Sequence, residues 1–186
     1  MTKALLIIDV QNAILSGKAS PERQPDIDAA LDETVARLAV LQEKARQAGA
    51  PIVLVQHDGD NSHRLAAGTP GWALRDEIAP RQAEVVVRKK SADSFFETDL
   101  AERLGERSVT HLVVGGCMSQ FCVDTTVRRA VSLGYDVTLI ADGHTTGDTA
   151  TFTFSEIIAH HNETLDGFDA GKATVEIRLT AEIDFS

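Results

Sequence analysis

The sequence of 186 residues lacks several features that would each assign it to a class of protein. It has two cysteines, Cys117 and Cys122, too few for the disulfide framework of a small secreted domain. No apolar run approaches the roughly 20 residues needed to cross a bilayer. The short apolar run at the N-terminus ends at Asp9, so we expect no targeting segment. These absences predict a protein of the reducing cytoplasm, where a cysteine is more often chemical than structural.

Positive charge is also scarce, because 18 Lys and Arg residues face 28 Asp and Glu residues, for a formal net charge of -10. Such a charge argues against nucleic acid and anionic membranes as partners. The signatures of nucleotide and cofactor sites are missing too: no G-x-G-x-x-G follows the first apolar run, and neither a P-loop nor a G-x-S-x-G elbow occurs. We therefore expect a small-molecule substrate and no cofactor.

Short apolar runs alternate with longer amphipathic stretches along the chain. The amphipathic stretches predict helices over 28–48, from about Ser119 to Leu133, and over 155–165. Strands that alternate with helices predict an α/β fold, a Rossmann-like three-layer α/β/α arrangement around a mostly parallel sheet. The length predicts one domain over residues 1–186. The runs predict about six strands: Ala4–Ile8, Ile52–Val55, Val85–Val87, Leu112–Val114, Val137–Ile140 and Thr174–Ile177.

Residue types useful in catalysis follow three of these strands. Asp9 ends the first strand, Lys90 follows the third, and Cys122 stands at a helix start after the fourth. Each has an ordinary explanation, since such an Asp often caps a helix, such a Lys is usually solvated, and a helical Cys usually packs in a core. The carboxyl ends of parallel strands meet at one edge of the sheet, where ligands bind. The combination therefore indicates one site.

The chemistry of this site would centre on the thiol of Cys122. A free thiol, with a pKa of about 8.5, is mostly protonated at neutral pH, whereas a helix N-terminus and a cation such as Lys90 favour the thiolate. Asp9 could accept the thiol proton and later pass it to a leaving amine. Backbone N–H groups at the helix start would face a developing oxyanion. The pattern predicts a cysteine hydrolase.

Other polar residues leave alternatives open. A metal is an alternative at the cluster His57, Asp58, Asp60 and His63, although its spacing matches no standard site and we expect none. His160 and His161 face different ways on a helix, and we expect one of them to pack or cap. Cys117 is either a resolving thiol or a packing residue. The longest irregular stretch, 57–72, is expected to cover the site. Candidate pocket residues are Gln11, Trp72, Phe95, Phe96, Asp142 and His144, of which the last two have a loop-ordering role as the alternative.

Several separated segments carry a family resemblance. They are Leu5-Leu6-Ile7-Ile8-Asp9-Val10-Gln11-Asn12, Lys90 before Ser94-Phe95-Phe96, Gly116-Cys117-Met118-Ser119-Gln120-Phe121-Cys122-Val123-Asp124, Gly134-Tyr135 and Ala141-Asp142. In these segments the chain resembles the isochorismatase-like cysteine hydrolases, a superfamily that includes nicotinamidases and N-carbamoylsarcosine amidohydrolase.

The resemblance implies a catalytic triad of Asp9, Lys90 and Cys122. It also implies a cis peptide between Cys117 and Met118, which would aim the Met118 N–H, with that of Cys122, into an oxyanion hole. Family members that cleave the vinyl ether of isochorismate lack the cysteine, so this chain resembles the amide-cleaving branch. The family mostly forms dimers or tetramers, in which Trp72 would be a candidate to complete a pocket.

One departure from a family pattern, a similarity to one subgroup and two alternative functions accompany this resemblance. Nicotinamidases carry a metal-binding Asp-x-His after the second strand, where this chain reads Gln56-His57-Asp58-Gly59-Asp60. The stretches 68–72 and 157–162 are similar to a bacterial subgroup that streptothricin hydrolase, which opens a lactam, also resembles. The alternative functions are an ether hydrolase that uses Asp9 without the thiol, and a non-catalytic binding protein on the same fold.

Overall fold

The computed structural model describes residues 2–82 and 84–185. Its strands are β1 Lys3–Ile8, β2 Ile52–His57, β3 Val85–Lys89, β4 His111–Cys117, β5 Asp136–Thr145, β6 Asp169–Ala170 and β7 Ala173–Arg178. They form one sheet in the order β3-β2-β1-β4-β5-β7-β6, in which only β6 pairs antiparallel. The predicted mostly parallel sheet is confirmed, and its six predicted strands are the parallel ones. The two-residue β6 is too short to give a periodic signal.

The helices are α1 Gln24–Ala48, α2 Leu100–Gly105, α3 Asp124–Ser132 and α4 Phe154–Leu165. α1 begins earlier than the predicted residue 28, because Pro25 is well tolerated in a first helical turn. It ends at Gly49, whose φ of 69° closes the helix in the left-handed conformation. α2 was not predicted, since six residues hold too few turns to show a helical period. None of the helices within the described ranges is both long enough and apolar enough to cross a membrane.

The predicted helix over Ser119–Leu133 divides into two parts. A π-helical turn spans Ser119–Val123, and α3 follows directly. π-helical turns are rare and frequently occur at functional sites. Cys122 lies in this turn rather than in the first turn of a regular helix.

The helices cover both faces of the sheet, which confirms the three-layer α/β/α arrangement. Alternate residues of β1 point to opposite faces, as the two-residue period of a strand requires. Leu5 and Ile7 pack with α1 on one face, whereas Leu6 and Ile8 pack with α2 and α3 on the other. Each face thus has its own apolar core, and the carboxyl ends of the central strands remain free to build a site.

Gly116 allows the end of β4 to lie against β1. A Cβ atom there would lie 2.1 Å from the carbonyl oxygen of Ile8, and its φ of +124° is one that side chains rarely adopt. The register between β4 and β5 also shifts between Val114 and Gly116. Only glycine fits this position, and its fit determines where the chain leaves the sheet toward Cys122.

Candidate active site

Lys89 holds two other polar side chains together at the carboxyl edge of the sheet. Its Nζ donates to Oδ2 of Asp9 at 2.6 Å, to the backbone oxygen of Ser91 at 2.9 Å, and to Sγ of Cys122 at 3.3 Å. The side chains of Lys89 and Asp9 have no solvent exposure. A buried acid and a buried cation therefore meet a partly buried thiol.

The lysine at this site is Lys89, so the prediction of Lys90 is corrected. Val87 and Lys89 are buried, whereas Arg88 and Lys90 are exposed, as expected from the two-residue alternation of β3. Lys89 shares its face of the sheet with Val87, which belongs to the core against which Cys122 packs. This alternation was present in the sequence, but the predicted strand stopped at Val87.

Asp9 is held in an uncommon backbone conformation at the end of β1. Its φ is 52°, in the left-handed region, where an aspartate is tolerated better than most residues. Burial raises the pKa of its carboxyl group, while the charge of Lys89 and a hydrogen bond from the Cys122 thiol lower it. Oδ1 is buried without a conventional hydrogen-bond partner among the described residues. This oxygen is free to take a proton.

Cys122 does not have the depressed pKa that the sequence suggested. Burial and the negative charge of Asp9 raise the pKa of its thiol to about 12, and the opposing effect of Lys89 is smaller. The direction of this shift is opposite to the thiolate-favouring effect that the sequence suggests for a helix start and a nearby cation. A thiol with a raised pKa needs a base at the moment of attack, and the adjacent carboxyl group of Asp9 can act as that base, which is the arrangement of general-base catalysis.

The loop between β4 and the π-helical turn carries the cis peptide bond, between Cys117 and Met118. Cys117 is completely buried in the core that packs on α1, and burial raises the pKa of its thiol. A buried thiol of this kind is chemically inert. Cys117 thus has the environment of a packing residue.

A row of hydrogen-bonded side chains, Ser119, His144 and Asn162, supports the loop that leads to Cys122. Nδ1 of His144 lies 2.8 Å from Oγ of Ser119, and Nε2 of His144 lies 2.9 Å from Oδ1 of Asn162. The amide of Asn162 donates to the carbonyl oxygen of Ala141 at 3.0 Å, which turns its oxygen toward His144. Nε2 must then carry the proton, and Nδ1 accepts from Ser119. His144, predicted as a pocket candidate, instead holds the first residue of the π-helical turn.

Gln11, another pocket candidate, is fully buried and ties the 57–72 loop to β1. Its Nε2 donates to the carbonyl oxygens of His57 at 3.0 Å and Trp72 at 2.7 Å, and its Oε1 accepts from the N–H of His57 at 3.0 Å. Its amide is therefore fully engaged by the protein. Gln11 positions the loop that was expected to cover the site.

Trp72 lies within a polar cluster at the mouth of the site. Its Nε1 donates to Oδ1 of Asp58 at 2.8 Å, and the guanidinium of Arg88 lies 4.9 Å from the centre of its ring. Arg88 also forms an ion pair with Asp58 at 2.9 Å. A cavity of about 450 Å³ opens between this cluster and Lys89, with Phe96 on its wall and Lys90 at its exposed rim.

The two adjacent phenylalanines have different environments. Phe96 is 56% exposed and lines the cavity, as expected of a pocket residue, whereas Phe95 is 9% exposed and stacks on Tyr135 in the core. The prediction of Phe95 as a pocket residue is therefore corrected. For Asp142 the contacts support the loop-ordering alternative and not the pocket role, because its Oδ1 accepts from both the N–H and the hydroxyl of Thr180 at 2.8 Å and orders the chain after β7.

The histidines outside this row have mostly local contacts. His57 and His63 have ring centres 5.7 Å apart. Within residues 2–82 and 84–185, no three His, Cys, Asp or Glu side chains come together as a metal-binding group. On α4, Nδ1 of His161 lies 2.7 Å from the carbonyl oxygen of Ile157, one helical turn earlier, while His160 is exposed.

One residue near the site has no signal in the sequence that would identify it. Arg64, in the 57–72 loop, donates through Nη2 to Sδ of Met118 at 3.9 Å, and therefore lies over the loop that leads to Cys122. A single arginine in an irregular segment has no period or motif to identify it. Only the fold brings it to the site.

Comparison with known proteins agrees with this architecture. A family model described as the isochorismatase domain matches residues 3–159. The chain is 42% identical over 146 residues to a streptothricin hydrolase of Streptomyces noursei, a match that covers 78% of this chain and 50% of that protein. It is 26% identical over 168 residues to a ureidoacrylate amidohydrolase of Stutzerimonas stutzeri (strain A1501), covering 75% of this chain and 68% of that protein.

A solved structure agrees along almost the whole chain. The crystal structure of an isochorismatase from Pseudomonas putida KT2440 is 32% identical and has a TM-score of 0.85, covering 97% of this chain and 89% of that one. The chain spans only half the length of the streptothricin hydrolase that it matches.

Proposed function

Since the chain belongs to the isochorismatase family, we propose that it is a hydrolase that cleaves an amide-type C–N bond of a small molecule through a thioester at Cys122. The observation that carries this proposal is the contact of one buried ammonium, that of Lys89, with both the Asp9 carboxylate and the Cys122 sulfur. Such a contact keeps a base and a nucleophile in proton-transfer range.

The first half-reaction forms the thioester. Asp9 takes the proton of the Cys122 thiol as the sulfur attacks the carbonyl carbon, and the carbonyl oxygen becomes an oxyanion. The N–H groups of Met118 and Cys122 are the proposed donors to that oxyanion. Asp9 then gives the proton to the leaving nitrogen, the C–N bond breaks, and the amine departs.

The second half-reaction releases the acid. Asp9 removes a proton from water, whose oxygen attacks the thioester carbonyl, and the C–S bond breaks as the proton returns to the sulfur. The Lys89 ammonium stays charged throughout and compensates the negative charge that moves between Asp9 and Cys122. No proton is gained or lost by the site over the cycle.

The relatives support an amide-type bond. One is named for the hydrolysis of streptothricin and another as an amidohydrolase of ureidoacrylate. A thiol in contact with a cation and next to an acid disfavours the alternative of an ether hydrolysis that does not use the thiol. The same group of acid, cation and thiol disfavours the alternative of a protein that only binds its ligand. A single domain over residues 1–186 and assembly into a dimer or tetramer stay predictions.

A substrate panel with a covalent readout tests the proposal. Lactams, ureido compounds and primary amides are incubated with the protein, released amine or ammonia is measured, and acid-quenched samples are analysed by peptide mass spectrometry. We expect a substrate-derived acyl group on the peptide that contains Cys122. Turnover with an acyl group elsewhere, or with none under single-turnover conditions, would contradict the thioester mechanism.

A further inference from the structure

Arg64 differs from every other arginine of the chain in its partners. Each of the others forms an ion pair with an Asp or Glu side chain. Among the described residues, no carboxylate lies within ion-pair distance of Arg64. This absence is informative in a protein that has 28 acidic residues and a net charge of -10, because acidic partners are abundant.

The position of Arg64 is nevertheless well defined. Its Nε donates to the carbonyl oxygen of Ile14 at 3.0 Å, and its Nη2 donates to Sδ of Met118 at 3.9 Å. Its Nη1 lies 3.4 Å from Nε2 of His63, a weak contact at best. The guanidinium is thus fixed through Nε, and its two terminal nitrogens lack strong acceptors beside the loop that carries the proposed oxyanion donor.

The surroundings of Arg64 favour the binding of an anion. The side chain is only partly exposed, and burial lowers the pKa of its guanidinium, whereas negative charge at Cys122 acts to raise it. Arg64 also interacts electrostatically with another cation, Lys18, whose ammonium pKa is lowered by burial and by Arg64. Lys18 also has no carboxylate partner among the described residues. Two partly buried cations without an acid between them are costly unless a ligand supplies the negative charge.

The shape of the available donors narrows the class of anion. The two terminal nitrogens of a guanidinium form a planar fork that matches the two oxygens of a carboxylate. A carboxylate bound there would lie next to the site at which Cys122 attacks an amide carbon. A ligand that spans both points must carry an amide and a carboxylate on one small molecule.

We propose that Arg64 binds a carboxylate group of the substrate, so that this site selects small amides that carry a carboxylate. The proposal rests on the function proposed above, because the amide end of the same molecule must reach Cys122. It makes Arg64 a specificity-determining residue, while Asp9, Lys89 and Cys122 perform the chemistry.

Two alkylating reagents of nearly equal size test this selectivity at the nucleophile itself. Iodoacetate carries a carboxylate, and iodoacetamide carries a neutral amide; with either, the Cys122 sulfur forms a bond to the CH₂ carbon, iodide leaves, and the thiol proton passes to Asp9. The rate constants at Cys122 are measured at neutral pH by peptide mass spectrometry. Their ratio, iodoacetate over iodoacetamide, is compared with that of glutathione.

We expect the ratio at Cys122 to exceed that of glutathione by about tenfold, the effect of one or two charged hydrogen bonds. Arg64→Gln is expected to return the ratio to that of glutathione. Arg75→Gln is the matched control, because it removes the same charge from a guanidinium that is already paired with Asp32 and Glu77. That control should keep the wild-type ratio.

Two results would overturn the inference. One is a wild-type ratio equal to that of glutathione. The other is an equal fall of both rates in Arg64→Gln, which would mean that Arg64 stabilises the thiolate and does not bind a carboxylate. If Arg64→Gln does not fold, Arg64→Lys replaces it: the planar fork is lost although the charge remains, so the preference should fall, and an unchanged preference would contradict the inference.

A failure of the proposed function gives a different result. If neither reagent modifies Cys122, the nucleophile assignment is contradicted, and Arg64 is then tested by titration with unreactive acetate and acetamide. Acetate should raise the melting temperature of the wild type but not of Arg64→Gln, and acetamide should raise neither. Equal effects of acetate on both proteins would contradict carboxylate binding by Arg64.

Discussion

The ammonium of Lys89 lies 2.6 Å from the carboxylate of Asp9, and neither side chain is exposed to solvent. A buried ion pair is weak evidence for stability, because the cost of removing two charges from water can exceed their attraction. Here the ammonium has a third contact, 3.3 Å to the sulfur of Cys122. The pair is therefore best explained by the chemistry of the thiol, and its parts can be tested separately.

Replacement of Lys89 is expected to remove activity and to weaken the fold. Lys89→Met leaves the Asp9 carboxylate buried without its cation, which should lower the free energy of unfolding by about 3–5 kcal/mol. The value of kcat/KM for any substrate found should fall by about a hundredfold to ten-thousandfold, the range for a positioned proton-transfer group. Steady-state kinetics and urea unfolding measure the two effects.

The adjacent residue provides the matched control for this prediction. Lys90→Met removes the same charge from an exposed position, so its effect on kcat/KM should be many times smaller and its effect on stability within about 0.5 kcal/mol. A larger loss of activity or stability in Lys90→Met than in Lys89→Met would show that Lys90, and not Lys89, is the lysine of the site.

His144 should make the stability depend on pH. Burial lowers the pKa of His144 to about 4, whereas an unfolded histidine has a pKa of about 6.5. Between those values the unfolded chain binds a proton that the folded protein does not, so stability falls as the pH falls through that window. The contribution of His144 to this loss should reach about 2 kcal/mol at pH 5.

Urea unfolding at pH 7 and at pH 5 measures this effect, with His144→Gln as the comparison. The variant is expected to be less stable at pH 7, since Ser119 and Asn162 lose a partner, but its stability should change less between the two pH values. An identical pH dependence in both proteins would mean that His144 is not the buried neutral group described above.

Gln11 is expected to control the order of the 57–72 loop. Gln11→Ala removes the amide that pairs with the N–H and the carbonyl oxygen of His57, at a cost of about 1–3 kcal/mol for each group left unpaired, whereas the Trp72 oxygen keeps its bond from Nε2 of Gln56. Amide hydrogen exchange should accelerate across 57–72 and remain nearly unchanged in α1. Asn12→Ala is the control, because the exposed Asn12 makes one bond to the loop, to the Pro70 oxygen, and its exchange pattern should stay close to that of the wild type.

Gly116 should tolerate no side chain. Gly116→Ala would place a Cβ 2.1 Å from the Ile8 oxygen. We expect this change to lower the free energy of unfolding by more than about 4 kcal/mol or to give no soluble protein. Gly134→Ala is the matched control, since Gly134 also has a positive φ, of +92°, but has no atom within 4 Å of the added Cβ. Gly134→Ala should lower the free energy of unfolding by about 1–2 kcal/mol. Similar melting temperatures for the two variants would show that β4 and β1 are not in such close contact.

Much of the fold was predictable because its strands are long apolar runs and α1 has a clear helical period. Features shorter than one period were not, which is why α2 and the two-residue β6 were missed. Lys89 and Lys90 show why a site residue is harder to predict than a strand: the two lysines are adjacent at the end of the same strand, and only the alternation of its faces distinguishes them. The pKa of Cys122 could not be predicted either, since it depends on burial and on the distance to Asp9. Arg64 reaches the site only through the path of the 57–72 loop, which no pattern encodes.

The most direct test of the account is the turnover of one substrate by Cys122→Ala beside Cys117→Ala. Both changes remove a thiol, but only Cys122 contacts Lys89, while Cys117 is buried in the core. We predict that kcat/KM falls at least about a thousandfold in Cys122→Ala, the order expected for loss of a nucleophile. Folded Cys117→Ala should remain active. Turnover by Cys122→Ala at the wild-type rate would contradict the central claim that this thiol is the nucleophile.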